Sequence, residues 1–163
     1  MSEEHVMNEE EFFISETEKH INRVRELLSL GVIEILKRAA NHDRTKIESP
    51  EERDVFVKFT PKLKDCTYGS EEYSSFLKEM QSGLDFHYKS NRHHPEHHAN
   101  GIRDMNLFDI MELFFDWRAA TERHADGDIM KSIEHNQKRF HYSDDLKNIL
   151  QNTVKWLEEE SGL

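Results

Sequence analysis

Apolar residues recur along this chain at helical intervals, and the strict alternation of a half-buried strand is missing. A first helix is predicted to begin near Ser15, where Ser15-Glu16-Thr17-Glu18 has the form of a capping box, or somewhat earlier through Phe12 and Phe13, and to run to about Leu30. Gly31 permits a bend or a close approach, after which Val32, Ile33, Ile35, Leu36, Ala39 and Ala40 form a second helical stretch ending at His42-Asp43. Ser49-Pro50-Glu51-Glu52 reads as a cap with proline at the first helical position, and so opens a third helix. Tyr68-Gly69-Ser70-Glu71 punctuates the chain before a fourth helix from about Glu71 to Ser90. The following histidine-rich stretch, with Asn100-Gly101, is predicted to be irregular. Asn106 caps a fifth helix reaching about His124, and residues 128–139 and 144–160 read as two more, the last capped by Ser143. The expectation is an all-α, single-domain bundle of about six to seven helices over 1–163, with 1–10 a flexible N-terminus.

Phase along these helices says where polar side chains point. His20 shares a stripe with Phe13, Val24 and Leu27, and His87 continues the stripe of Tyr73, Phe76, Met80 and Leu84, so both imidazoles are expected to face a core. Asp43 follows Leu36 and Ala39. In the fifth helix Asp109, Glu112 and Asp116 share one face, while Leu107, Ile110, Met111, Phe114, Phe115 and Trp117 cover much of the rest. A carboxylate on so apolar a helix is costly to bury alone, so at least one of the three is expected to have a specific partner. The bland reading of Asp109 and Glu112 is a solvated or salt-bridged face, and His5, His124, His135 and His141 read as surface residues.

Taken singly, a histidine on an apolar stripe is ordinarily a hydrogen-bonded core residue. The ordered set of His20, His42-Asp43, His87, His93-His94 and Asp116 points instead to a metal site, because imidazole nitrogens and hard carboxylate oxygens together suit a divalent ion with positions open to substrate. One or two ions are expected, with iron, manganese, zinc, magnesium, nickel and cobalt all open. His97 and His98 read as caps or members of a polar loop, with ligation the lesser reading.

Composition narrows the partners. Thirty-three acidic against 22 basic residues give a formal charge of −11, which argues against binding extended nucleic acid and leaves room for a local basic pocket for one small phosphorylated ligand. The single cysteine, Cys66, excludes an intramolecular disulfide framework and a Cys-rich zinc module. The chain shows no N-terminal apolar leader and no long apolar run, so a cytoplasmic protein without membrane association is expected. Oligomeric state is not readable from these patterns.

In His20, His42-Asp43 and Asp116 the chain resembles the HD-domain superfamily of metal-dependent phosphohydrolases, over roughly residues 15–125. His42 to Lys46, His-Asp-x-x-Lys, is similar to the variant in the superfamily's cyclic-dinucleotide phosphodiesterase and di-iron oxygenase branches, and His87 and His93-His94 are similar to the added histidines by which those branches hold two metals. The Gly-Tyr-Pro segment of the phosphodiesterases is absent after His93-His94, and His87 and His93 stand closer together than in those branches. Either Asp109 or Asp116 matches the terminal aspartate; Trp117-Arg118-Ala119-Ala120 makes Asp116 the closer match. The chain also resembles a small uncharacterised family of phage and bacterial proteins in Tyr68 to Tyr73, Asn91 to Glu96 and Asp116 to Ala120.

The superfamily resemblance implies hydrolysis of a small phosphoester, a nucleotide first among them, by metal-activated water. His20, His42, Asp43 and Asp116 would hold a first metal, and His87, His93 and His94 a second, with Asp43 and Lys46 as the catalytic pair. Lys46, Arg92 and Arg118 would receive the phosphate. A di-iron oxygenase and a non-catalytic, metal-containing helical binding protein are the alternatives.

Overall fold

The computed structural model of the protein describes residues 7–66, 70–123 and 127–161, and among these it is all-α, without a strand. In chain order the helices are α1 (Glu9–Asn41), α2 (Thr45–Glu48), α3 (Pro50–Asp65), α4 (Glu71–Glu79), α5 (Gln81–Ser90), α6 (Leu107–Thr121), α7 (Ile129–Phe140) and α8 (Asp144–Trp156). Short 3₁₀ turns, Pro95–His97 and Gly101–Asp104, lie between α5 and α6, and a π turn, Leu157–Ser161, continues α8. No helix among the described residues is long and apolar enough to cross a membrane.

These residues divide into two compact units, Met1–Ala40 and Asn41–Leu163. The first is helical from Glu9 onward. Its start is fixed by Asn8 and Glu11: the Glu11 N–H donates to Asn8 Oδ1 at 3.0 Å and the Asn8 N–H to Glu11 Oε2 at 2.9 Å, a reciprocal cap. The helix therefore starts inside the 1–10 segment expected to be flexible and ahead of the cap expected at Ser15. Gly31 does not interrupt the helix, because one glycine costs only about 1 kcal/mol and needs no bend. No residue of α1 is buried.

The second unit contains the core. Phe114 of α6, Ile129 and Ile133 of α7, Tyr142, and Leu150 and Val154 of α8 are buried together, with Ile110, Trp117, Met130, Phe140 and Leu146 packed against them. Tyr142 buries its ring and donates its hydroxyl to the Ile133 carbonyl at 2.5 Å, so no polar atom of that side chain is left unpaired. Helices α3 and α5 pack closely at Gly83, where an added Cβ would stand 2.8 Å from Val55 Cβ and Cγ1. The fourth helix expected over 71–90 is two, divided at Met80, which is itself almost fully buried. Ser70 and Asn106 cap α4 and α6, the latter with Asp109 in a full capping box. The expected punctuation at Tyr68-Gly69 and the surface readings of His5 and His124 lie outside the described residues, and α6, expected to reach about His124, ends at Thr121.

Candidate metal centre

The site is built within the second unit from the turn after α1, from α3, α5 and α6, and from the segment after α5. Asp43 takes the left-handed conformation, φ 55°, which aspartate tolerates better than most residues. His42 and Asp43 both enter the site from this turn, and Lys46, one turn on, donates to Asp43 Oδ2 at 2.6 Å. Asn91 ends α5 and donates from its amide to Thr45 Oγ1 and to the His87 carbonyl, each at 2.9 Å, tying α5 to the start of α2.

Ligand-type atoms converge in two groups that share His93. Asp43, His87, His93 and His94 form one, and His42, His93 and Asp116 the other, the donor atoms of each group lying within 4.8 Å of one another. Nε2 of His87 and Nε2 of His93 each lie 3.5 Å from Asp43 Oδ1. His42 Nε2 stands 3.7 Å from Asp43 Oδ2 and 3.6 Å from Asp116 Oδ1, and His94 Nε2 is 2.7 Å from His87 Nε2. Two ring nitrogens at that distance share either a proton or a cation.

Behind the rings lies a layer of carboxylates. Glu112 Oε1 is 3.0 Å from His42 Nδ1 and 3.2 Å from His93 Nδ1, while Glu52 Oε1 is 2.7 Å from His87 Nδ1. Asn91 Nδ2 lies 3.0 Å from His87 Nδ1 and bonds it, whereas both oxygens of Glu52 are buried without a hydrogen-bond partner among the described residues. A histidine whose Nδ1 faces a carboxylate, as those of His42 and His93 face Glu112, presents a bare Nε2, the arrangement that metal-binding imidazoles use.

The charge states follow from these neighbours. Asp116, then Glu112, push His42 up to about 10 against the opposing effect of burial. Burial pushes His87 down to about 4 and His94 to about 3, assisted by Lys46 at the first and by His93 and His87 at the second, so both are neutral near pH 7. Burial works to raise the carboxyls of Asp43, Glu112 and Asp116, but Lys46 at the first and the surrounding imidazoles at the other two outweigh it and hold all three low. Glu52, fully buried, is raised by desolvation.

Whether this donor set fits a cation is tested by atoms left unsatisfied. Asp43 Oδ1 and His93 Nε2 are buried without a hydrogen-bond partner among the described residues, although each belongs to a strongly polar group. Leaving such atoms unpaired costs roughly 1–3 kcal/mol apiece. They face one another at a separation that two ligands of one ion can take, so the residues present fit a divalent metal.

Of the residues expected from sequence, His42, Asp43, His87, His93, His94 and Asp116 are brought together here. His20 lies on α1, in the other of the two units. Asp116, not Asp109, is the α6 aspartate in the cluster. Asp109 is fully buried and receives Arg92, whose Nε and Nη2 stand 3.3 and 3.1 Å from its two oxygens. Arg92, expected with Arg118 to receive a phosphate, is engaged by Asp109, and Arg118 pairs with Glu122 at 2.9 Å and Glu158 at 3.7 Å. His98 bonds the Arg92 carbonyl at 2.9 Å rather than joining the cluster.

Glu52 and Glu112 were not anticipated as site residues. The signal for Glu52 was its place on the α3 stripe of Val55, Phe56 and Phe59, and for Glu112 its position one turn before Asp116. No curated protein and no solved structure matches the chain. A family model does match, over residues 9–160, a span that includes every residue of the cluster, and the chain belongs to that family of unknown function, DUF5662.

Proposed function

We propose that the protein is an HD-type metal-dependent phosphohydrolase acting on a small phosphoester, most plausibly a nucleotide. The observation that carries this reading is the meeting of four imidazole Nε2 atoms with the carboxylates of Asp43 and Asp116, including two buried donor atoms with no other partner. His42, Asp43, His87, His93, His94 and Asp116 would hold one or two divalent ions. When bound, such an ion supplies a water acidic enough to act as nucleophile near neutral pH and polarises a phosphoryl oxygen.

The protein's own residues prepare that chemistry. Glu112 holds the ring protons of His42 and His93 on Nδ1, turning the other nitrogen inward. Lys46 is partly exposed beside Asp43, with Nζ 5.2 Å from the centre of the Phe56 ring, and is the cation set to meet a phosphate oxygen at the rim. Low carboxyl pKa values at Asp43 and Asp116 keep both oxygens ionised as donors.

The test combines elemental analysis of purified protein with hydrolysis of a panel of nucleotides and simple phosphoesters. One or two equivalents of metal, lost together with hydrolysis in His42→Ala and Asp43→Ala at unchanged helicity, is the expected result. Metal retained in both variants, or hydrolysis indifferent to chelation, would overturn it. Nitrogen and carboxylate donors also suit iron, so oxygen consumption is measured on the same samples, and iron-dependent uptake without hydrolysis would move the reading to an oxygenase.

A further inference from the structure

We propose that His87 carries its ring proton on Nε2 in the metal-free protein and on Nδ1 when metal is bound, with Asn91 holding the first form and Glu52 the second. The inference rests on the reading of the cluster as a metal centre to which His87 contributes Nε2. Two neighbours of opposite kind compete for His87 Nδ1: the amide nitrogen of Asn91, a donor, at 3.0 Å, and Glu52 Oε1, an acceptor, at 2.7 Å. The donor holds it in this structure. The orientation of the Asn91 amide is fixed, because the same nitrogen also donates to the His87 carbonyl and to Thr45 Oγ1, each at 2.9 Å, and a carbonyl can only accept. A ring nitrogen that accepts a hydrogen bond carries no proton itself. The proton of the neutral ring is therefore on Nε2, where His94 Nε2 stands 2.7 Å away to receive its bond.

Glu52 is the reason for a second form. Its side chain is fully buried, and neither oxygen has a hydrogen-bond partner among the described residues, a costly state for a carboxyl group. A metal ligand must offer a bare nitrogen, so His87 joins the cluster only once the Nε2 proton is gone. Losing that proton to solvent and taking one at Nδ1 leaves the ring neutral and releases none overall. The new N–H lies beside Glu52 Oε1 and supplies the partner that this oxygen lacks, and a carboxylate bonded to Nδ1–H makes Nε2 a stronger donor to a cation. Asn91 gives up one acceptor and keeps two for its two amide protons. Glu52 and Asn91 are therefore positioning residues with opposite effects on metal affinity, because each stabilises one side of the same equilibrium.

Nitrogen–proton correlation spectra of the isotope-labelled native chain show which ring nitrogen bears the proton, and His87→Gln assigns the signals. They are recorded before and after zinc, a diamagnetic ion. A change from Nε2–H to Nδ1–H at His87 is expected as zinc is added. Glu52→Gln can turn an amide N–H toward Nδ1 and so sustain the first form; its zinc affinity, measured against a chelating dye, is expected to fall about 10–100-fold. Asn91→Ala is expected to carry the Nδ1 proton before zinc is added, and to bind zinc more tightly than the native chain. A native His87 ring already protonated at Nδ1 without metal, or zinc bound with the ring unchanged, would overturn the proposal and leave the metal centre standing. A native chain that takes up no zinc would overturn both.

Discussion

Glu112 Oε1 lies 3.0 Å from His42 Nδ1 and reaches His93 Nδ1 at 3.2 Å with the same oxygen, so one carboxylate of α6 orients two imidazoles from different segments. Glu112→Gln keeps an acceptor at that place but removes its charge. Metal affinity is expected to fall about 10–100-fold with helical content unchanged, as for other carboxylates that bond a ligating histidine. Competition against a chelating dye measures it, and an unchanged affinity would deny Glu112 its orienting role.

Arg92 and Lys46 separate structure from chemistry. Arg92→Ala leaves the fully buried Asp109 with the Asn106 N–H but without its guanidinium, a loss of roughly 1–3 kcal/mol. Thermal melting is expected to drop by about 2–4 °C for each kcal/mol, while metal content and KM for a phosphoester stay as they were. Lys46→Ala is expected to do the opposite, raising KM with little change in melting. A raised KM and unchanged melting in the arginine variant would return Arg92 to the substrate.

Phase along the helices made part of this site legible, because it says which way side chains at helix ends and on helix stripes point, whereas His93 and His94 lie between α5 and the following 3₁₀ turn. His42-Asp43 and His87 were found in that way, and the capping signals at Ser49, Asn106 and Ser143 fall at helix starts. Glu112 was hidden because a glutamate near other acids reads as solvated until the histidines that approach it from elsewhere in the chain are known.

Gly83 couples packing to the site, since it lets α5, which bears His87, approach α3, which bears Glu52. In Gly83→Ala the new methyl meets Val55 at 2.8 Å, backed by helix on both sides, and overpacking of this kind costs about 1–3 kcal/mol. The two helices must separate, and Glu52 then moves from His87 Nδ1. The expected outcome is lower melting together with weaker metal binding, and partial recovery of both on adding Val55→Ala. Lower melting with metal affinity intact would show that the α3–α5 spacing does not govern His87.

Metal binding is expected to release protons, and His42 supplies most of them. With its pKa raised from 6.5 to about 10 by Asp116 and Glu112, this ring is charged at pH 7.5 in the metal-free protein, whereas His87 and His94, lowered to about 4 and 3, are already neutral. A ligand must be unprotonated, so loading expels about one proton per chain and apparent affinity rises with pH up to about 10. Metal-free stability runs the other way. A pKa raised in the folded state contributes stability that is fully present below 6.5 and is lost as pH climbs toward 10, so the metal-free protein weakens over the window in which its affinity grows. Calorimetry at pH 7.5 in buffers of different ionisation enthalpy counts the protons, and melting of chelated protein from pH 6 to 10 follows the stability. No proton release, with affinity flat across that window, would mean that His42 is not a ligand.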